Sequence, residues 1–166
     1  MPHILEALFK TQPDVALDTF LLPTPMRDFD SDIGRGPALG NLDSVLLQTW
    51  ADRDPALRYR LVGECLSMFG KKNGDEENEL SPLFVSILQH APNKRLFLGE
   101  LRERLHPQSW GGSLADILIR RKQQVLKLAE LGDVQVRAWV DDVTPELDSW
   151  IEQERAYDRA GEESFE

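Results

Sequence analysis

The chain has 166 residues, a formal net charge of −10 and a hydrophobic share of 41%. That share is ordinary for a protein with a buried core, and no apolar run approaches the roughly 20 residues that a membrane-spanning helix needs. Because its charge balance is acidic, the chain lacks the basic stripe of a nucleic-acid-binding protein, so we predict partners that are neither nucleic acids nor membranes.

Two short amphipathic helices are predicted to open the chain. The first has an apolar face at helical spacing and ends at the Gln12-Pro13 step. Asp14 is the predicted N-cap of the second helix, which continues to Leu21. If the chain is the end of a longer repeat protein, the first helix exposes an apolar face and the chain self-associates; that face consists of Ile4, Leu5, Leu8 and Phe9.

A loop of nearly twenty residues follows, from Leu22 to Gly40, and it contains three prolines and three glycines. Asp28, Asp30 and Asp32 alternate in it as at the start of a calcium-binding loop. The twelfth position of such a loop should be a glutamate, but here it is Leu39. We therefore interpret the segment as a solvated acidic loop, with a divalent-metal enzyme using the three aspartates as an alternative.

The second pair of helices is predicted over 42–51 and 55–69, the latter ending at Gly70. Asn41 is the predicted N-cap of the first helix of this pair. Asp54 caps the second, with proline at the first helical position, where its missing N–H has no cost. The predicted inner face of the first helix consists of Leu42, Val45, Leu46, Thr49 and Trp50.

A charged segment over 71–80 is predicted to be an exposed, partly disordered linker to the third pair of helices. Ser81 is the predicted N-cap of the next helix, which is followed at Asn93 by a helix that continues to Leu105. The predicted core residues of this pair are Leu83, Phe84, Ile87, Leu88, Leu96, Leu98, Leu101 and Leu105.

The last third of the chain is predicted to hold three helices. After a loop at 106–112, Ser113 caps a helix over 114–131, and Asp133 caps the next. Thr144 and Pro145 are predicted to start a separate final helix, which would cap the stack because its apolar positions thin out towards residue 160.

A short figure, Asp or Asn two to three residues before an aliphatic residue, begins at residues 14, 54, 93 and 133. The spacings of 40, 39 and 40 residues, with two helices per period, are typical of a helical solenoid. We therefore predict an all-α fold of stacked antiparallel helical hairpins in one domain, 1–160, followed by a flexible acidic tail, 161–166. The predicted repeats lie near 1–21, 42–70, 81–105 and 113–143, with a capping helix at 145–160.

The residues that carry this period resemble those of HEAT repeats. In that family the turn into the second helix holds Asp-x-x-aliphatic-Arg, a pattern matched at Asp54 to Arg58 and at Asp133 to Arg137. The figure at Asp14 matches in part, because Asp18 stands in place of the arginine, and the one at Asn93 has Phe97 there. The resemblance implies a structural role for these residues, which cap the second helix and link neighbouring repeats.

Few residues suggest chemistry. The three histidines lack zinc spacing, and no nucleophile or phosphate-loop motif is present, so we predict neither catalysis nor a cofactor nor a metal. Trp50 and Trp139 lie on apolar faces and are predicted core. Trp110 lies in a loop, where it either contacts a partner or folds onto the core. The candidate partner-binding residues are Trp110, His106, Arg120, Arg121, Trp150 and Tyr157.

Charge and cysteine content add two expectations. From Asp141 onward the chain has ten acidic residues and two arginines, a local net charge of −8. This charge favours a partner with a basic surface. The single cysteine, Cys65, and the lack of a secretory signal at the N-terminus predict a cytoplasmic location.

Together these features predict a non-enzymatic protein-binding scaffold or adaptor, or the C-terminal repeat module of a larger assembly, because solenoids mostly work in this way. The alternative is a bacterial-type acidic inhibitor or immunity protein that blocks a basic toxin or nuclease.

Overall fold

The computed structural model describes residues 2–22, 39–40, 42–72, 75–99, 101–107 and 110–163. Within them the fold is all-α, as predicted, with a single pair of short strands. The helices are α1 (Pro2–Thr11), α2 (Pro13–Leu21), α3 (Ser44–Ala51), α4 (Pro55–Cys65), α5 (Pro82–His90), α6 (Lys94–Gly99), α7 (Leu114–Leu128) and α8 (Val134–Glu163). The strands are β1 (Phe69–Lys72) and β2 (Asp75–Leu80), and two 3₁₀ turns span Arg102–Leu105 and Ala129–Leu131.

The chain divides into two compact units. The first comprises Met1–Gly70 and Ser81–Phe97, and the second comprises Lys71–Leu80 and Leu98–Glu166. In the first unit α1 packs on α2 and α3 on α4, while α2 also contacts α4 and α3 contacts α5. Its core is built from fully buried residues of these helices, among them Ala16, Leu17, Leu47, Trp50, Val62, Phe84, Ile87 and Leu88.

Two ion pairs in the first unit join residues about one sequence period apart. Arg53 donates to both carboxylate oxygens of Asp14 at 2.9 Å, and Arg58 lies 3.4 Å from Asp18. The Asp18 carboxylate also accepts from the indole nitrogen of Trp50 at 2.8 Å. Asp18, which stands where the HEAT-like pattern has arginine, therefore pairs with Arg58, which lies 40 residues later in the chain.

Most of the predicted N-caps are confirmed. Asp54, Ser81 and Asn93 accept from the backbone N–H groups three residues later. Asp14 is not a cap, because Pro13 already starts α2 and the Asp14 carboxylate pairs with Arg53 instead. The predicted cap Asn41 lies outside the described residues.

The N-cap of α3 is Asp43, whose side chain accepts from the backbone N–H groups of Val45 and Leu46. This start sets the face that α3 buries, so Leu47, Trp50 and Ala51 are buried while Val45 is 66% exposed. The prediction that Val45 and Thr49 point inward is wrong, because both lie on the solvent side of the helix.

Helix α4 ends at Cys65, four residues earlier than predicted, because the buried Leu66 is extended and leads the chain into β1. The predicted linker over 71–80 is also wrong, since most of it lies in β1 and β2. The amide of Ser81 donates to the Met68 carbonyl at 2.9 Å beside this pair, and β2 packs against α7. Charged side chains do not prevent a strand from pairing through its backbone.

The predicted helix from 94 to 105 is interrupted. Helix α6 ends at Gly99, and a separate 3₁₀ turn spans Arg102–Leu105. Leu98, Leu101 and Leu105 are buried as predicted, but Leu96 is 55% exposed. Leu96 lies in the first turn of a short helix, on the side that faces water.

The second unit is built on the packing of α7 against α8. Ser113 caps α7 as predicted, by accepting from the Asp116 amide. Gly132 adopts the left-handed conformation, with φ of 78°, and ends the turn after α7. The shared core contains Leu118, Val125, Leu128, Val136, Val140, Val143 and Leu147.

Helix α8 runs through Pro145 without a break, so the predicted separate capping helix at 145–160 is wrong. Proline removes one backbone donor, but the neighbouring carbonyls gain side-chain donors. Thr144 donates from its hydroxyl to the Val140 carbonyl at 2.7 Å, and Arg102 donates to the Asp142 carbonyl at 3.4 Å. Buried residues on both sides of the proline, Val143 and Leu147, also hold the helix in the unit's core.

We expect Asp133→Ala to lower the free energy of unfolding by about 1 kcal/mol, because N-cap carboxylates contribute this much. The Asp133 side chain accepts from the amides of Gln135 at 2.8 Å and Val136 at 3.3 Å. Urea unfolding measures the effect, with Asp141→Ala, at an exposed interior position of the same helix, as the control. Equal losses in both variants would contradict a capping role.

Candidate functional site

Three of the predicted binding residues come together in the second unit. The ring centroid of His106 lies 5.9 Å from that of Trp110 and 5.7 Å from that of Trp150, at interplanar angles of 85° and 83°. Perpendicular aromatic pairs of this kind are favourable and directional. His106, Trp110 and Trp150 are called the aromatic cluster below.

The aromatic cluster is open to solvent. Trp110 is 46% exposed, while His106 and Trp150 are half-buried. Trp110 therefore combines parts of both predicted alternatives, since its ring contacts His106 and yet almost half of the residue faces water. A large apolar ring that is held in place and still half exposed can bury further surface against a binding partner.

Helix α8 presents Trp150 at the edge of its buried face. Its neighbour in sequence, Ile151, is buried, and so is Leu147 one turn earlier. The tryptophan therefore lies next to buried residues of the second unit's core. Its position is fixed by the packing of α8 and not by a loop.

Arg121 positions the segment that carries His106. From α7 it donates through Nη1 to the carbonyl of Arg104 at 3.3 Å and to that of Leu105 at 3.0 Å. These are the last carbonyls before His106, whose Nδ1 lies 3.0 Å from the Pro107 carbonyl oxygen. The structure thus gives this predicted binding residue a supporting contact inside the unit.

The other end of the same loop is attached further along α8. The Ser113 hydroxyl lies 3.3 Å from Oδ2 of Asp158, to which it donates. Trp150 and Asp158 are eight residues apart, which corresponds to about 12 Å along a helix. The loop therefore touches α8 at two points on either side of Trp110.

The remaining predicted residues lie apart from these contacts. Arg120 is exposed on α7, and Tyr157 is 77% exposed on α8. In the part of the chain that the structure describes, neither contacts the aromatic cluster through a ring or hydrogen bond. Trp50 and Trp139 are buried, which confirms their predicted place in the core.

Metal and acid–base chemistry have little support among the described residues. They contain no group of three or more His, Cys, Asp or Glu residues that could hold a metal, and Asp28, Asp30 and Asp32 lie outside them. Burial raises the pKa of the Tyr59 phenol, and the hydrogen bond to Asp52 at 2.8 Å raises it further. A phenol with a raised pKa remains protonated and acts here as a donor within the first unit.

The sequence predicts His106, Trp110 and Trp150 individually as binding residues. It does not predict that their rings contact one another. Trp150 lies 44 residues after His106, and no local pattern indicates a contact over that distance. The sequence likewise does not predict the bond from Ser113 to Asp158, because the position of Ser113 indicates only a helix cap.

No protein-family model, curated protein or solved structure matches this chain significantly. Among the helices that the structure describes, none has the length and apolar character needed to cross a membrane.

Proposed function

We propose that this protein is a non-enzymatic helical-repeat scaffold or adaptor that binds another protein through the aromatic cluster. The observation that carries the proposal is Trp110, a tryptophan that is 46% exposed yet fixed against His106. Tryptophan is enriched at binding hot spots. A ring that is already held in one position loses little conformational freedom when a partner covers it.

The size of the exposed ring supports this use. A fully buried aromatic side chain removes about 150–250 Å² from water. Covering the exposed part of Trp110 would then contribute on the order of 2 kcal/mol at about 25 cal/mol per Å². That is the energy scale of a single hot-spot residue.

The packing of the first unit supports a HEAT-like repeat as the scaffold. The second helices of the first two pairs contact each other, α2 with α4, and α3 contacts α5, the first helix of the next pair. Stacked helical hairpins pack in this like-to-like order. The pairs Asp14–Arg53 and Asp18–Arg58 then correspond to the links between neighbouring repeats that the resemblance implies.

An acidic inhibitor of a basic protein is the second candidate, favoured by the exposed carboxylates of Asp141, Asp142 and Glu152 on α8. Such a complex would depend on charge attraction over a broad surface. Its affinity should therefore fall steeply with salt, whereas contact through the aromatic cluster should fall less steeply.

We expect Trp110→Ala to weaken partner binding by roughly thirtyfold in Kd, the effect of losing a hot spot worth about 2 kcal/mol. Affinity capture from the native extract at low and high salt, with the full chain as bait, finds the partner, and titration measures its Kd. Val134→Ala, another exposed apolar position at 79%, is the matched control. Equal binding by both variants, or no partner at either salt, would contradict the proposal.

A further inference from the structure

The charged residues that follow Trp150 on α8 lie at different angles around the helix axis. Each residue of an α-helix advances by about 100°, so Glu154 lies about 40° from Trp150 around the helix and Tyr157 about 20°. Arg155 and Arg159 lie about 140° and 180° away from Trp150. The side of α8 that carries Trp150 and Tyr157 thus holds Glu154 but neither of these arginines, which lie on the opposite side together with Glu152.

Two carboxylates that follow Trp150 on α8 have no cationic partner in the part of the chain that the structure describes. Among the described residues, neither Glu154 nor Asp158 is in an ion pair, and Asp158 receives a hydrogen bond only from the neutral Ser113 hydroxyl. Earlier on the same helix, Glu146 pairs with Arg102 and Asp148 pairs with Lys122. Within the described residues, cations thus pair with two carboxylates of α8 before Trp150 and with neither Glu154 nor Asp158 after it.

We propose that the occupant of the aromatic cluster is a basic segment of the partner protein, an inference that rests on the function proposed above. A lysine or arginine side chain of this segment lies with its alkyl stem on Trp110 and its charge directed towards Glu154 and Asp158. The exposed ring attracts the cation through its negative face while the stem covers apolar surface. From Trp150 to the end, six acidic residues against two arginines leave a balance of −4, which attracts a basic segment from a distance.

Two other occupants fit the surface less well. A second copy of this chain would bring the same acidic helix face to the contact in a symmetric dimer, and like charges would oppose each other. A purely apolar segment would cover Glu154 and Asp158 without offering them a partner, which disfavours binding.

Short peptides test the chemistry of the occupant directly. Three peptides of about eight residues are used, in which alanine alternates with lysine, with glutamate or with serine. Each is titrated into the full chain at about 150 mM salt, because long-range charge attraction is screened at that concentration. Binding is followed by tryptophan fluorescence and calorimetry. We expect the lysine peptide to bind and the other two to bind at least about tenfold more weakly.

A matched pair of variants separates a site from general charge attraction. Glu154→Gln and Glu152→Gln remove the same charge from the same helix, but Glu152 lies about 160° from Trp150. We expect Glu154→Gln to raise the Kd of the lysine peptide at least about threefold and Glu152→Gln to change it less than about twofold. Trp110→Ala should raise it at least about tenfold.

Equal losses in Glu154→Gln and Glu152→Gln would overturn the inference, because binding would then need charge but no site. Tighter binding of the serine or glutamate peptide would overturn it as well, and so would self-association of the free chain that Trp110→Ala abolishes. If the lysine peptide does not bind, the basic occupant is wrong. The proposed function is judged separately, by whether the captured partner is lost with Trp110→Ala.

Discussion

Trp50→Ala is expected to lower the free energy of unfolding by about 3–5 kcal/mol, the usual loss when a buried aromatic ring is truncated. The residue is fully buried in the first unit. Its indole nitrogen donates to Asp18 at 2.8 Å, and the Arg58 guanidinium lies 4.5 Å from the ring centroid. Alanine would remove the ring from this arrangement and leave a cavity beside two charged groups.

Guanidinium unfolding followed by far-ultraviolet circular dichroism measures this effect. Trp50→Phe is the matched control, because it keeps most of the ring volume and loses only the indole N–H. Its expected loss is about 1–2 kcal/mol. A Trp50→Phe variant as unstable as Trp50→Ala would assign the effect to the hydrogen bond and contradict the packing argument.

Substitution of Trp110 should have a different effect from substitution of Trp50, because it should affect binding and leave stability almost unchanged. Trp110→Ala should change the free energy of unfolding by less than about 1 kcal/mol, since the residue is 46% exposed and surface substitutions have small effects. It should nevertheless weaken partner binding by roughly thirtyfold in Kd. A tryptophan that contributes to binding but little to stability is the signature expected of a binding residue.

The parts of the fold that the sequence predicts well are those with short-range signals. Ser113 and Asp133 cap their helices because a side-chain oxygen meets an amide two or three residues later, and this geometry depends only on neighbouring residues. The same holds for Asp54 and Ser81, each of which is followed by a proline that suits the first helical turn.

The elements that the sequence does not predict depend on contacts with residues that are distant in the chain. The strand pair at 69–72 and 75–80 is rich in charge, and β2 packs against α7, more than thirty residues later in the sequence. Helix α8 continues through Pro145, where Arg102 donates to the nearby Asp142 carbonyl and Val143 and Leu147 are buried in the core of the second unit. A proline after threonine is a good local start signal, but here tertiary contacts outweigh it.

The candidate site shows the same division. Residue type and loop position predict Trp110 as a candidate binding residue, since tryptophan is enriched at binding hot spots. The perpendicular contacts to His106, and from His106 to Trp150, depend on how the loop lies across α8. Arg121 is one of the predicted partner-binding residues, yet its Nη1 donates to backbone carbonyls of the same unit. Residue type predicts the candidates, and packing determines which of them meet.

The close approach of α4 and α6 at Gly63 makes a second sharp stability prediction. A Cβ atom added at this buried glycine would lie 2.6 Å from the carbonyl oxygen of Phe97 and 3.1 Å from its Cδ2. The carbonyl belongs to the backbone of α6, and the Phe97 ring contacts Phe84 at 5.5 Å between centroids. Neither can move without shifting a packed helix, so even one methyl group should be poorly tolerated.

We expect Gly63→Ala to destabilise the first unit by about 1–2 kcal/mol, because overpacking outweighs the roughly 1 kcal/mol that alanine gains over glycine in a helix. Gly63→Val should lose about 3 kcal/mol or more. Gly99→Ala is the matched control, since Gly99 is exposed in α6 and a Cβ there meets no atom within 4 Å. It should leave stability unchanged or raise it by up to about 1 kcal/mol. Urea unfolding of the three variants measures both signs, and a stabilising Gly63→Ala would show that α4 and α6 do not approach this closely.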